Sequence, residues 1–177
     1  QDNDLIAATA GRSFWILDDL SPLQEALNIK GLHIVKPKNA YRLFSGKTVK
    51  GSAQGTNPVS GIYLDYYLPK KVDSLMLKIE ILENDAVIRT YTSDKPKDFV
   101  SWPGGPSPEI ILPNKRGHNR VHWDFRRASI PAVDKVFVYG SYAGSRVAPG
   151  NFKIRLSYGE VQKEKQIKHL PNNNIEA

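Results

Sequence analysis

The sequence predicts an all-β chain: an antiparallel β-sandwich of about seven to nine strands with one short helix. Three observations carry that prediction. Apolar and polar residues alternate with period two in segment after segment. Gly, Pro, Asn and Asp punctuate the gaps between those segments. Only one stretch carries the signature of a helix start. Many short strands with turn signals between them fit two sheets packed on a common core.

From the N-terminus, "DLIAATAGRSFWILDD" reads as two short strands around a turn at Gly11–Arg12. In "SPLQEAL", Ser21 is expected as the N-cap, with Pro22 at the first helical position and Gln24 where a capping box places it. Few residues remain before the next strand signal, so this helix is a connector of a couple of turns at most. "SGIYLDYYLP" sets Ile62, Leu64, Tyr66 and Leu68 on one face against Tyr63, Asp65 and Tyr67, and Pro69 stops it. "SLMLKIEIL" does the same with Leu75, Leu77, Ile79 and Ile81, and Asn84–Asp85 turns it back into "AVIRTYT". "NRVHWDF" points Val121, Trp123 and Phe125 inward, and Trp123 is expected between the sheets. "FKIRLSY", with Phe152, Ile154, Leu156 and Tyr158, and then "VQKEKQIKH" complete the set.

Two long stretches interrupt the pattern. Residues 45–61 are rich in Gly, Ser and Lys, and 92–119 hold five prolines. Loops of that length are uncommon and are usually functional or disordered. Within the second, Ile110 and either Leu112 or Ile111 are expected to be buried, and Trp102 to lie at an accessible surface. Residues 4–18 carry more apolar side chains than a free hairpin hides. They are expected to fold back on the rest of the chain or to pack against a second copy.

Composition excludes several classes. Hydrophobic residues make up 40% and charged residues 24%, an ordinary globular balance. No apolar run reaches the roughly 20 residues of a spanning helix. There is no cysteine, hence no disulfide framework, thiolate nucleophile or thiolate metal site. The net charge of +7 raises the question of nucleic acid, but the basic residues are spread along the chain with acids among them, so no nucleic-acid partner is expected. The start, "QDNDLIAATA", reads as a cut within a longer protein or after a removed signal.

Candidate chemistry centres on "GHNRVHWDF". His118 and His122, four apart, would share a metal on a helix. On a strand their Cα atoms stand ~13 Å apart, too far for one ion. His122 and Asp124 read instead as a surface ion pair, and His118 as turn chemistry at the strand entrance. No phosphate-binding glycine loop or nucleophile elbow occurs. Asp18 and Asp19 point to opposite faces, and Asp19 suits the turn before Ser21. No catalytic residue, metal or cofactor is expected for this fragment.

Several motifs carry a family resemblance. "GRSFWILDDLSPLQ" resembles the closing segment of large secreted β-propeller proteins of the sortilin-like, bacterial-neuraminidase-repeat group, often called glycosyl-hydrolase-like. "NPVSGIYLDYYLP" is similar to the group's first sandwich strand through Asn57, Pro58, Gly61 and Tyr66–Tyr67–Leu68. "GHNRVHWDFR" matches its Gly-x-Asn-x-x-x-Trp-Asp strand at Gly117, Asn119, Trp123 and Asp124. "VAPGNFKIRLSYG" resembles its Pro-Gly-x-Tyr/Phe strand at Pro149, Gly150, Phe152 and Leu156. The likeness spans about residues 8–160 and is most distinctive in "GRSFWILDD"; the group's histidine before Gly-Arg is replaced here by Ala10.

The resemblance implies an immunoglobulin-like sandwich. Residues 1–20 would be the last strands of an upstream propeller, 21–30 a linker helix, 31–170 the sandwich and 171–177 a tail. It implies a bacterial protein that is secreted, periplasmic or on the cell surface. The fragment would be a non-catalytic structural or interaction module whose partner is that propeller. The alternative is a carbohydrate-binding module, with Trp102, Tyr63, Tyr67, Tyr139 and Tyr142 as candidate sugar platforms.

Overall fold

The alternating segments form strands where the sequence marks them. The computed structural model describes residues 3–11, 13–42, 60–70, 76–95 and 99–171. Arg12 of the expected turn, residues 45–59 with Asn57 and Pro58, Leu75, and the tail from 172 lie outside the described residues. The strands are β1 (Leu5–Ala8), β2 (Phe14–Leu17), β3 (His33–Ile34), β4 (Ala40–Tyr41), β5 (Ile62–Leu68), β6 (Leu77–Glu83), β7 (Ala86–Thr92), β8 (Gly117–Trp123), β9 (Gly150–Tyr158) and β10 (Val161–Leu170). The single helix among the described residues, α1 (Ser21–Ala26), is as short as expected.

Strands β1 and β2 form a hairpin of their own. The remaining strands make a five-stranded sheet, ordered β4-β10-β9-β6-β7, and a three-stranded sheet, ordered β3-β5-β8. Both draw on one buried cluster, which unites Leu64, Tyr66 and Val121 of the smaller sheet with Ile79, Ile154 and Leu156 of the larger. Trp123 joins them. Fully buried on β8, it meets Phe125 and Phe152 edge-to-face at 5.0 and 5.4 Å, and its indole N–H donates to the Arg126 carbonyl at 2.9 Å. The aromatic area fills the core and the one polar atom is satisfied.

The apolar residues of β5, β8 and β9 are buried in the register that the alternation predicts. Ile62, Leu64, Tyr66 and Leu68 are buried on β5, as are Val121 and Trp123 on β8 and Phe152, Ile154 and Leu156 on β9. Asn84 and Asp85 take φ of 49° and 64°, the left-handed pair that a two-residue β6–β7 turn requires. A register shift opposite Ile81 and Leu82 leaves Ile88 as the extra residue on β7, and Ile88 joins the buried cluster.

Three details differ from expectation. The pairing is not antiparallel throughout: β4 runs parallel to β10, at His169–Ala40 and Leu170–Tyr41. The residue capping α1 is Leu20, with no side-chain cap. Asp19, at φ 60°, supplies the acceptor instead, taking the Ser21 amide at 3.1 Å, while the Ser21 hydroxyl is engaged by Asn3 at 3.0 Å. An aspartate two residues before the first helical position does the work that the capping rule assigns to serine. Finally, of the aliphatic run 110–112 in the proline-rich stretch, one residue packs into the core. Leu112 is buried and its amide donates to the Thr92 carbonyl at 2.8 Å, whereas Ile110 and Ile111 stay exposed. Ile111 instead bridges Thr92 in parallel and so faces away from the core.

Candidate functional site

The outer face of the three-stranded sheet gathers the histidines. Residues opposite each other on β5 and β8 lie closer, at about 5 Å, than alternate residues along one strand, at about 7 Å. Cross-strand partners therefore win. Asp65 of β5 accepts from His118 Nε2 at 2.5 Å and from Arg120 Nε and Nη2 at 2.7 and 3.1 Å, and is buried beneath them. His118 is thus a strand residue paired to a carboxylate, not part of a turn.

His122 makes no hydrogen bond to Asp124, contrary to the ion pair expected from the sequence. Asp124 accepts from the Arg126 amide at 3.2 Å and lies 3.5 Å from its guanidinium. His122 Nε2 is buried without a partner, close against Gly61, and burial holds its pKa below the usual histidine value. Among the described residues no three His, Asp or Glu side chains are grouped to hold a metal.

The five candidate platforms fall in two places. Tyr63 and Tyr67 flank the Asp65 cluster. Tyr63 is half-exposed, tilted against His122 at 5.0 Å, with the Arg120 guanidinium 5.1 Å from its ring centre. Tyr67 packs against His118, and its hydroxyl donates to the Pro22 carbonyl at 2.7 Å. Tyr67 therefore ties α1 to the sheet rather than standing free.

Trp102, Tyr139 and Tyr142 lie on loops beyond the opposite end of β8. The Trp102 indole donates to the Val136 carbonyl at 2.9 Å and is closely approached by Gly105, so it fastens two loops together and is only partly exposed. Tyr139 is 97% exposed and stands edge-to-face against Phe137 at 4.8 Å. Tyr142 lines a cleft.

That cleft, of about 350 Å³, lies between residues 105–110, 124–129 and 140–144. Apart from Asp124, its charged residues are ones that no sequence pattern singles out. Arg89 of β7 pairs with Glu109 at 2.5 Å and donates to Ser129 Oγ at 3.2 Å, and Ser129 donates to Glu109 at 2.9 Å. Across from them, Arg126 donates to the Gly144 carbonyl at 2.8 Å beside Asp124. Tyr91 sits beneath the Arg89 guanidinium, and burial pushes its pKa up to about 12. The proline pair Pro106–Pro108 is the one hint in the sequence, since it stiffens the loop carrying Glu109. A larger hollow beside α1 is lined mainly by aliphatic residues and lysines, with Glu25 and His33 paired at 2.6 Å in its wall. Comparison of the chain with models of known protein families, with characterised proteins and with solved structures finds no match.

Proposed function

We propose that this chain is a non-catalytic, immunoglobulin-like sandwich module of a larger exported β-propeller protein, with residues 1–20 belonging to the propeller. The observation that supports this reading is the β1–β2 hairpin. Its register pairs Leu5 with Leu17, Ile6 with Ile16, Ala7 with Trp15 and Ala8 with Phe14. Opposed residues share a face. One face therefore carries Leu5, Leu17 and Trp15, and the other Ile6, Ile16 and Phe14.

Neither face is built for water, yet every residue of both strands is exposed. Strands apolar on both faces belong to sheets covered on both sides. Six large side chains, three to a face, are left about half or more exposed, which is the kind of apolar surface that marks a contact site. A blade wedged between neighbouring sheets supplies both covers. Polar contacts tie the ends of the hairpin together and to the segment after α1. The Asp19 amide donates to the Asp4 carboxylate at 2.9 Å, and the Lys38 ammonium lies 3.6 Å from Asp19.

The test is twofold. The gene upstream of Gln1 should encode repeats of about 40–50 residues with four strand signals each. Deleting residues 1–18 should leave the melting temperature of the remaining fold unchanged while abolishing self-association and hydrophobic-dye binding. A fall in melting temperature like that of a core variant, or an upstream region without repeats, overturns the reading.

A further inference from the structure

We propose that the cleft between residues 105–110, 124–129 and 140–144 is a binding site for an uncharged saccharide of one or two rings. The inference is separate from the module reading, because the cleft lies at the opposite end of β8 from α1 and rests on different residues.

Charge is the first argument. Two guanidinium groups, Arg89 and Arg126, face two carboxylates, Glu109 and Asp124, and each cation already has its anion. A charged ligand would have to break one of these pairs. A neutral polyol need not, because each hydroxyl both donates and accepts and can bridge a paired carboxylate and guanidinium at once. Acceptor capacity remains for it: the two Glu109 oxygens accept from Arg89 and Ser129 respectively, which leaves lone pairs on each, and both carboxylates are about half exposed. Arg89, whose Nε is buried without a hydrogen-bond partner, is among the residues lining the cleft.

Shape is the second. The volume of about 350 Å³ falls near the lower end of the roughly 300–1,000 Å³ typical of small-molecule sites. The walls are stiff. Pro106 and Pro108 restrict one, and in the other a side chain at Gly144 would meet the Arg127 and Ala128 carbonyls at 2.3 Å, so that backbone is held close. Preformed walls lower the ordering cost of binding a small ligand.

Aromatic surface is the third. Tyr142 stands in the wall, and the Phe137–Tyr139 pair ends one residue before Gly140, with Tyr139 wholly exposed. Rigid aromatic rings offer the C–H face of a sugar a platform at small entropic cost. A polar floor with an aromatic rim suits a ligand that is polar at its edge and apolar on its face.

The experiment is an amide NMR titration of the full chain with glucose, galactose, mannose, N-acetylglucosamine and their short oligomers, with glucuronate and inorganic phosphate as charged probes. At least one neutral sugar should give saturable shifts confined to residues 105–110 and 139–144, with a millimolar dissociation constant. Glu109→Gln and Tyr142→Ala should each weaken it at least tenfold. Ser107→Trp, an exposed change that fills the cleft without touching the ion pairs, should abolish it at unchanged melting temperature. Silence from every neutral sugar, tighter binding of glucuronate or phosphate, or binding that survives Ser107→Trp would overturn the proposal.

Discussion

Two hairpins of this chain share a backbone plan and differ in everything around it. In β6–β7, Leu77, Ile79, Ile81 and Tyr91 are buried, while Lys78 and Glu80 stay on the wetter side and form ion pairs. In β1–β2 no polar residue interrupts either strand, and every residue of both stays exposed. The first hairpin asks for one cover, and β9 beside it and the smaller sheet across the core provide its setting. The second asks for two covers and finds neither among the described residues, although folding back on the rest of the chain was one of its expected fates. Alternation along a strand thus records how many of its faces the folded protein encloses.

Two tryptophans break the comparison most sharply. Trp123→Ala removes the fully buried ring between the sheets and should cost about 3–5 kcal/mol in denaturant unfolding. Trp15→Ala, at a site 66% exposed, should stay within about 0.5 kcal/mol. Equal costs at the two positions would mean the hairpin is as much a part of this fold as the core.

A smaller effect is expected at Gly61, where φ is 143° and a Cβ would lie 2.3 Å from His122 Nε2 and 2.4 Å from the Trp123 carbonyl. Gly61→Ala should cost about 1–3 kcal/mol, because the backbone at the end of β8 has no room to give. The measurement is the same unfolding curve. An unchanged midpoint would show that β5 and β8 separate easily there.

The smallest effect is that of pH. His122 is half-buried with its Nε2 enclosed, and His169 is buried and stacked on Phe125 at 4.0 Å; burial holds both pKa values below the ordinary histidine value. At His169 a smaller upward pull from the Ala148 backbone opposes it. The folded state then binds fewer protons than the unfolded one as pH falls. Their stabilisation is complete above the unfolded value of about 6.5 and is lost as pH drops through it toward the depressed folded values. Melting temperature should therefore fall on mild acidification, and less so in His169→Phe, which keeps the stack. An identical pH profile in wild type and variant would exclude His169 as a contributor.

Much of the fold is legible residue by residue. The register of β5, β8 and β9 follows from alternation, and Asn84–Asp85 announces its turn. The pairings of β3 with β5 and of β4 with β10 were not legible, because a two-residue strand has no period to detect. The candidate site was legible only in part. Tyr142 stands out as an aromatic and Asp124 as part of a motif, but Arg89, Glu109 and the Asp124–Arg126 pair come from three separate segments. Tyr67 reads as a free outward ring until the fold brings the Pro22 carbonyl to its hydroxyl.

The sequence by itself determined which of the longer segments are strands, where most of their apolar residues point, and that the first hairpin has two dry sides. These are local properties, written in the period and chemistry of neighbouring residues. Only the tertiary structure decided that Asp65 rather than Asp124 meets a histidine, that β4 joins β10 in parallel, and that four charged residues converge on one cleft. Each of these depends on distances between residues far apart in the chain, and the cross-strand spacing of about 5 Å outweighs the along-strand spacing of about 7 Å only once strands are paired.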